Sequence, residues 1–389
     1  MGRSLVASRF TGLARSATVA QHDLVQSMRA AGAQVLDLGT GEPDFPTPGH
    51  ISAAATSALA DGHTHYTASR GLPALRKAIA GKLAADNRIS VDPDADVIVT
   101  PSAKHALFVA LATVLDPGDD LLVPTPSWVS YQSMAHLLGA RAVSAPLADG
   151  FRLTRSVLEA HRTPRTKAIL VNTPNNPTGR ALDAEESATV ADFACEHDLV
   201  VVADEIYEKI RYDGRRHFSI GALPGCAERT LTVNGFSKGY AMTGWRLGYL
   251  AGPTALVGQA LKVHEHTVSC AASFSQHGGI AALTGPQESV AAMVAEYAAR
   301  RDLLVDGLNA LPGITCARPD GAFYAFPDIR GTGFTDSAEF AAWLLRRAAV
   351  SVTPGSAFGE GGEGHLRLSF ATSREAIAEA LDRIAVVLD

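Results

Sequence analysis

Residues 96–124 read DVIVTPSAKHALFVALATVLDPGDDLLVP. An apolar run of strand length at 96–100 is followed by Pro101-Ser102 and then by apolar residues at the spacing of one buried helical stripe. Pro117-Gly118 ends this predicted helix, and a second strand-length run follows at 120–123. The alternation is typical of a strand-helix-strand unit in a parallel α/β sheet.

The same alternation continues downstream, and polar residues follow several of the apolar runs. Asn172 and Asp204 directly follow two of them, and Lys238 comes shortly after a third. The carboxyl ends of parallel strands meet at the edge of an open sheet where ligands bind, so these side chains should lie together. The alternative is that they merely begin loops. The apolar runs lie at 167–171, 199–203, 231–233 and 248–251.

The pattern changes near residue 287. A long helical pattern at 288–311 precedes strand-length runs and two further helical patterns. We predict an α/β protein with an N-terminal arm (1–48) that joins a smaller C-terminal domain (288–389), and a large ligand-binding domain between them (49–287). The runs predicted as strands in the smaller domain are 314–318, 322–326, 350–353 and 366–370.

Composition excludes several classes of protein. The 389 residues are 47% hydrophobic, and the net charge of −6 gives no general attraction to nucleic acid. The four cysteines form no CxxC pair, which argues against a metal site or a disulfide framework and suits a reducing cytoplasm. Since no apolar run reaches the ~18 residues of a membrane span, we expect no membrane partner.

Ser237-Lys238 followed by Gly244-Trp245-Arg246 places an amine eight residues before a guanidinium. That pair suits pyridoxal 5′-phosphate, which carries an aldehyde at one end and a phosphate at the other. Lys238 is predicted to form the Schiff base and to shuttle the substrate's α-proton, and Asp204 to hold the proton of the pyridine nitrogen. Taken singly, each is more often a surface lysine or a loop carboxylate.

The phosphate needs donors at the start of a helix. Ser102, Ala103 and Lys104 begin the predicted helix after 96–100, where backbone N–H groups point outward. Ser237 and Arg246 are predicted to complete the phosphate site, Arg246 through a bidentate contact. The alternative for Ser102 is a plain N-cap.

Other residues are candidates for contacts with the cofactor ring and with the substrate. Tyr207 and Asn176 could donate to the phenolic oxygen of the ring, and Trp128 could stack on it, although each could also be a core residue. Period-2 alternation in residues 365–370 puts Arg367 on the opposite face from its apolar neighbours, which suits recognition of an α-carboxylate. Gly41 could let the backbone approach that carboxylate, or could simply form a turn.

With these residues placed, the chain resembles the class I/II aminotransferases of the aspartate aminotransferase fold type over nearly its whole length, and most resembles the bacterial subgroup of aspartate and prephenate aminotransferases. The resemblance implies fold type I, with a mainly parallel seven-stranded sheet in the large domain. The matching segments are 16–19, 41–45, Tyr66 with 71–76, 174–179, 204–207, 237–238, 244–248 and 367–373.

The resemblance also implies roles that cannot be inferred from the residues alone. Tyr66 would reach the partner's cofactor phosphate across a homodimer with shared active sites. The Lys104 side chain, with Ser16 and Thr18, would meet the distal carboxylate of a dicarboxylic substrate. The chain departs from the subgroup in the segments around the substrate and the phosphate. Ser127 stands where the subgroup usually has a tyrosine, and Ser102-Ala103 stand where it often has two glycines. Ala14 stands where it often has a basic residue, although the next residue here is Arg15.

The predicted function is therefore an aminotransferase that moves an amino group between an L-amino acid and a 2-oxo acid in a ping-pong cycle. The predicted substrates are of the aspartate/glutamate type, with 2-oxoglutarate or oxaloacetate as the acceptor. One alternative is an aromatic, prephenate-like or specialised biosynthetic amino acid. Another is a lyase that uses the same cofactor. A non-catalytic regulator would need a DNA-binding segment, and the ~45 residues before Asp44 lack a basic helix-turn-helix pattern.

Overall fold

The computed structural model describes residues 5–388. The strands are β1 (Leu36–Asp37), β2 (Val97–Thr100), β3 (Asp120–Thr125), β4 (Arg141–Pro146), β5 (Thr166–Asn172), β6 (Val200–Asp204), β7 (Thr230–Gly235), β8 (Gly248–Ala251), β9 (Tyr324–Ala325), β10 (Val350–Ser351), β11 (Thr353–Pro354) and β12 (Leu366–Ser369). The α-helices are α1 (Ala17–Ala30), α2 (Gly49–Ala60), α3 (Pro73–Lys82), α4 (Ala103–Val114), α5 (Ser130–Leu137), α6 (Arg155–His161), α7 (Ala184–Glu196), α8 (Thr254–Thr267), α9 (Ser273–Thr284), α10 (Glu288–Ala310), α11 (Ser337–Ala348) and α12 (Arg374–Leu388).

Seven strands form one mixed sheet in the order β2-β8-β7-β6-β5-β3-β4. β8 runs antiparallel to both of its neighbours, and the remaining pairs are parallel. The prediction of a mainly parallel seven-stranded α/β sheet is confirmed. The long apolar runs arise because the sheet is buried on both faces, so both sets of alternating side chains must be apolar.

Successive residues of a central strand pack against helices on opposite faces of this sheet. Leu170 packs into the core shared with α4, α5 and α8, whereas Ile169 and Val171 pack into the core beneath α6 and α7. Burial of each such side chain stabilises the fold by about 1.5–3 kcal/mol. The two helical layers leave the carboxyl-terminal edge of β5 and β6 open for a ligand.

A separate core gathers α10, α11 and α12 around the short strands β9 to β12. β1, from the N-terminal segment, pairs in parallel with β10, Leu36 opposite Val350. This pairing supports the proposal that the N-terminal arm joins the smaller C-terminal domain, and we propose residues 48 and 287 as the domain limits. No helix within residues 5–388 is long and apolar enough to cross a membrane.

The strand predicted at 314–318 is wrong. Only an isolated bridge joins Thr315 to Asp328 there. The Asn309 side chain accepts a hydrogen bond from Cys316 N at 2.8 Å and donates one to Cys316 O at 3.0 Å. This amide occupies the two backbone groups of Cys316 that would pair with a neighbouring strand. The segment is therefore bonded to the end of α10 and does not join a sheet.

Candidate active site

A cavity of about 360 Å³ opens at the carboxyl ends of β5 and β6. Ligand sites of α/β sheets occur at this edge, as the sequence predicted. Thirteen of the fifteen predicted site residues line the cavity: Thr18, Gly41, Ser102, Ala103, Lys104, Trp128, Asn176, Asp204, Tyr207, Ser237, Lys238, Arg246 and Arg367.

Ser16 and Tyr66 are the two predicted residues that do not line it. Ser16 precedes α1, and its Oγ lies 3.0 Å from Thr18 Oγ1 on the cavity wall. Tyr66 lies outside the cavity with 91% of its surface exposed. Of the departures from the subgroup, Arg15 pairs with Asp23 at 2.9 Å outside the cavity, and Ser127 is buried behind it.

Lys238 extends its amine into the cavity from the loop after β7. Its Nζ donates to Gly41 O at 2.6 Å and lies 5.7 Å from the centroid of the Phe323 ring. Burial lowers the pKa of Lys238 to about 8, helped by Arg367 and Arg246 and opposed by Glu42. An amine with this pKa is about one-tenth unprotonated at pH 7, a far larger nucleophilic fraction than an ordinary lysine has.

Asp204 ends β6 at the cavity and is buried. Its Oδ2 accepts a hydrogen bond from Tyr131 Oη at 2.6 Å, and its Oδ1 accepts one from Ile206 N at 3.3 Å. Burial raises the pKa of Asp204 to about 6, against the opposing Tyr131 hydrogen bond. A carboxylate in this environment is stabilised by a cationic partner inside the cavity. Sequence reasoning missed Tyr131, although it lies three residues after Trp128.

The start of α4 forms one wall of the cavity. Ser102 is its N-cap, with Oγ accepting from His105 N at 3.4 Å, so the following first-turn N–H groups face the cavity without helical acceptors. The φ of Ser102 is +98°, in a region that favours glycine, which explains why the resemblance predicts glycine here. Gly248 allows β8 to lie close to the start of α4, because a Cβ at this position would collide with Ala103 N.

Two cationic side chains flank this helix start. Arg246 also has a positive φ, +52°, and its Nη1 donates to Thr243 O at 2.6 Å. Lys104 Nζ lies 4.9 Å from the centroid of the Trp128 ring. Burial, together with Arg246, lowers the pKa of Lys104. Both cations line the cavity beside the first-turn N–H groups of α4, where an anion would lie.

Arg367 is the largest fully buried side chain of the site. Its Nη1 donates to Asn176 Oδ1 at 2.9 Å and its Nη2 to Gly39 O at 2.6 Å. Its Nε has no hydrogen-bond partner among the described residues, and burial lowers its pKa. The guanidinium also lies 4.5 Å from the centroid of Tyr324. A buried cation with an unused donor is suited to a carboxylate ligand.

Tyr324, which sequence reasoning missed, joins three predicted residues. Its hydroxyl lies 2.9 Å from that of Tyr207, and its ring packs on Arg367. A Cβ at Gly41 would collide with the Tyr324 hydroxyl. Gly41 is therefore required by this close approach of Tyr324, whereas its access to a substrate carboxylate stays a prediction. The only sequence signal for Tyr324 was its place in the predicted strand 322–326.

A buried polar network holds the Asp204–Tyr207 segment from behind. Glu208 forms a buried ion pair with Lys82, and Asn87 Nδ2 donates to Glu205 Oε2 at 2.9 Å. Lys82 holds the pKa of Glu208 below its ordinary value despite burial. Loss of one partner of such a pair costs about 3–5 kcal/mol, so the network fixes the turn that carries Asp204.

The donor set fits pyridoxal 5′-phosphate. Four cations line one cavity, and none forms an ion pair with the residues that the structure describes; they are Lys104, Lys238, Arg246 and Arg367. The cofactor phosphate and a substrate carboxylate are the anions that would balance them. The buried carboxyl of Asp204 matches the cationic ring nitrogen.

Comparison with known proteins identifies the family. The family model for aminotransferase class I and II matches residues 33–384. Aspartate aminotransferase of Musicola paradisiaca is 51% identical, covering 98% of this chain and 96% of that protein. Aromatic-amino-acid aminotransferase 2 of Thermococcus litoralis is 42% identical over 94% of each chain. The crystal structure of the Rhizobium meliloti aspartate aminotransferase is 40% identical, covers 100% and 99% of the two chains, and has a TM-score of 0.95. The chain therefore belongs to the class I and II aminotransferases, enzymes that use pyridoxal 5′-phosphate to act on amino acids and 2-oxo acids.

Proposed function

We propose that the enzyme transaminates dicarboxylic L-amino acids, aspartate or glutamate, with 2-oxoglutarate or oxaloacetate as acceptor. The observation that carries this proposal is a surplus of cations. After Arg246 serves the cofactor phosphate and Lys238 the aldehyde, Arg367 and Lys104 remain without ion-pair partners among the described residues. Two cations suit a substrate with two carboxylates. The Musicola paradisiaca relative is an aspartate aminotransferase, which agrees with this choice.

We propose cofactor contacts with the roles that the sequence predicts. The N–H groups that follow Ser102, with Ser237 and Arg246, would hold the phosphate; Trp128 would cover the ring face. Tyr207 and the amide N–H₂ of Asn176, which has no hydrogen-bond partner among residues 5–388, would donate to the phenolic oxygen, because Asn176 Oδ1 already accepts from Arg367. When bound, the cofactor supplies an aldehyde for the amino group and a ring that accepts the electron pair released at the α-carbon.

The reaction then depends on protons held at two atoms. Asp204, kept in place by Tyr131, would hold the proton of the ring nitrogen by its negative charge. Lys238 Nζ would take the proton from the substrate's α-carbon and deliver it to the former aldehyde carbon of the cofactor, and would move it in the opposite direction in the second half-reaction. Arg367 would orient the α-carboxylate so that the α-hydrogen faces this amine.

We also propose a homodimer with shared sites. Tyr66, exposed in the single chain, would complete the partner's phosphate site, and Val268 and Phe274 are further exposed apolar side chains. A cytoplasmic location rests on the cysteine spacing of the sequence alone.

The pKa of Lys238 gives a pH prediction for cofactor uptake. Only the unprotonated amine attacks an aldehyde, so uptake by the cofactor-free protein should accelerate as pH rises through about 8 and level off above that value. Stopped-flow absorbance at a series of pH values measures the rate constant. A midpoint near the ordinary lysine value of 10.5 would show that the cavity does not perturb this amine.

The substrate proposal predicts a contrast between two variants. Lys104→Met should weaken reaction with glutamate and aspartate by about tenfold or more, because one charge-assisted contact is lost, and should leave alanine nearly unchanged. Arg367→Lys should weaken all three, because every amino acid carries the α-carboxylate. Single-turnover spectra of the bound cofactor measure each half-reaction, and an ammonia assay excludes a lyase. Faster reaction of the wild type with phenylalanine than with glutamate would overturn the dicarboxylate proposal and favour an aromatic substrate.

A further inference from the structure

His22 is a cavity residue to which the predicted site assigns no role. It lies on α1 one helical turn after Thr18, and both side chains line the cavity. Residues four apart share one face of a helix, so α1 presents these two polar groups to the same space. The His22 side chain is half-buried.

A chain of hydrogen bonds fixes the proton positions of His22. Its Nδ1 lies 3.2 Å from Thr40 Oγ1, and that hydroxyl donates its single proton to Asp37 Oδ2 at 2.6 Å. Thr40 Oγ1 can therefore only accept from His22, so the imidazole carries a proton on Nδ1. Asp37 Oδ1 is also bonded, accepting from Gly39 N at 2.8 Å.

Nε2 is the remaining polar atom of this ring. It has no hydrogen-bond partner among residues 5–388. Asp37, whose carboxylate forms no ion pair with a described residue, lies behind the ring through Thr40 and fixes the direction of the Nδ1–H. A ring that carries a second proton on Nε2 can donate it to a substrate carboxylate in the cavity.

Resting on the proposed function, we infer that His22 is a specificity-determining residue that binds the distal carboxylate of the dicarboxylic substrate together with Lys104. The two side chains reach one cavity from different elements, α1 and α4. Lys104 supplies a charge over the face of Trp128, whereas His22 supplies a donor whose direction is fixed by Thr40 and Asp37. A fixed donor is left without a partner when the substrate has an apolar side chain, which adds to the discrimination that the Lys104 charge provides.

The test uses the holoenzyme and two substitutions at one position. His22→Phe keeps the ring and removes both nitrogens, and His22→Gln restores a neutral donor. His22→Phe should lower the second-order rate constant of the glutamate half-reaction by about tenfold or more, and that of alanine by less than about twofold. The Kd of succinate, an unreactive dicarboxylate measured by titration calorimetry, should rise by the same factor. His22→Gln should recover part of each loss.

Gln21→Leu is the matched control on the same helix. Gln21 Nε2 donates to Ser351 Oγ at 2.9 Å and does not line the cavity, so this variant loosens α1 without touching the substrate space. It should leave the ratio of glutamate to alanine rates unchanged. Equal losses for both substrates in His22→Phe, or no loss for either, would overturn the role of His22. A wild type that binds no succinate and prefers alanine would overturn both this inference and the dicarboxylate proposal.

Discussion

Lys238→Ala should abolish turnover, with kcat falling by a factor on the order of 10⁴ or more, because both the covalent attachment and the proton-transferring amine are lost. The yellow absorbance of the bound cofactor should disappear from the purified protein at the same time. Steady-state assays with glutamate and 2-oxoglutarate, and an absorbance spectrum, measure the two effects.

Lys238→Arg is the control for this substitution. It keeps a cation near Gly41 O and Phe323 but offers no amine that can attach an aldehyde. We expect it to be as inactive as the alanine variant while its thermal unfolding stays close to that of the wild type. Substantial turnover in either variant would show that another residue carries the chemistry.

Asp204→Asn should lower kcat by about 10²–10³-fold and change KM for glutamate by less than about threefold. The substitution keeps the shape of the side chain and its neighbour Tyr131, but removes the negative charge that holds the ring proton. Single-turnover spectra separate this effect on the transfer step from substrate binding.

Tyr131→Phe serves as the matched comparison. It removes the 2.6 Å hydrogen bond to Asp204 Oδ2 and leaves the carboxyl in place, so we expect a loss of only about tenfold. It should also raise the pKa of Asp204 further, because that hydrogen bond opposes the effect of burial. If Asp204→Asn were no slower than Tyr131→Phe, the charge of Asp204 would not be what matters.

The sequence predicted the sheet and its edge well because both follow from local patterns. A strand buried on two faces must be a continuous apolar run, and the residue after it must lie at the edge, as for Asn172 and Asp204. The positions of Lys238 and Arg246 near each other needed the resemblance as well, since a spacing of eight residues alone does not fix a loop.

Local sequence patterns could not predict contacts between distant parts of the chain. Tyr131 and Tyr324 meet Asp204 and Tyr207 across 73 and 117 residues, and neither carries a local signal of that contact. The strand predicted at 314–318 failed for a similar reason, since the Asn309 amide takes the backbone groups of Cys316. Propensity cannot anticipate a side chain that replaces a strand neighbour.

We expect one ε-amine, that of Lys238, to attach the cofactor. Borohydride reduction of the holoenzyme, followed by proteolysis and mass spectrometry, locates the lysine that becomes permanently modified. We predict that the pyridoxyl mass is found on the peptide containing Lys238 and on no other lysine. Modification of a different lysine, or a reduced protein that carries no added mass, would contradict the account.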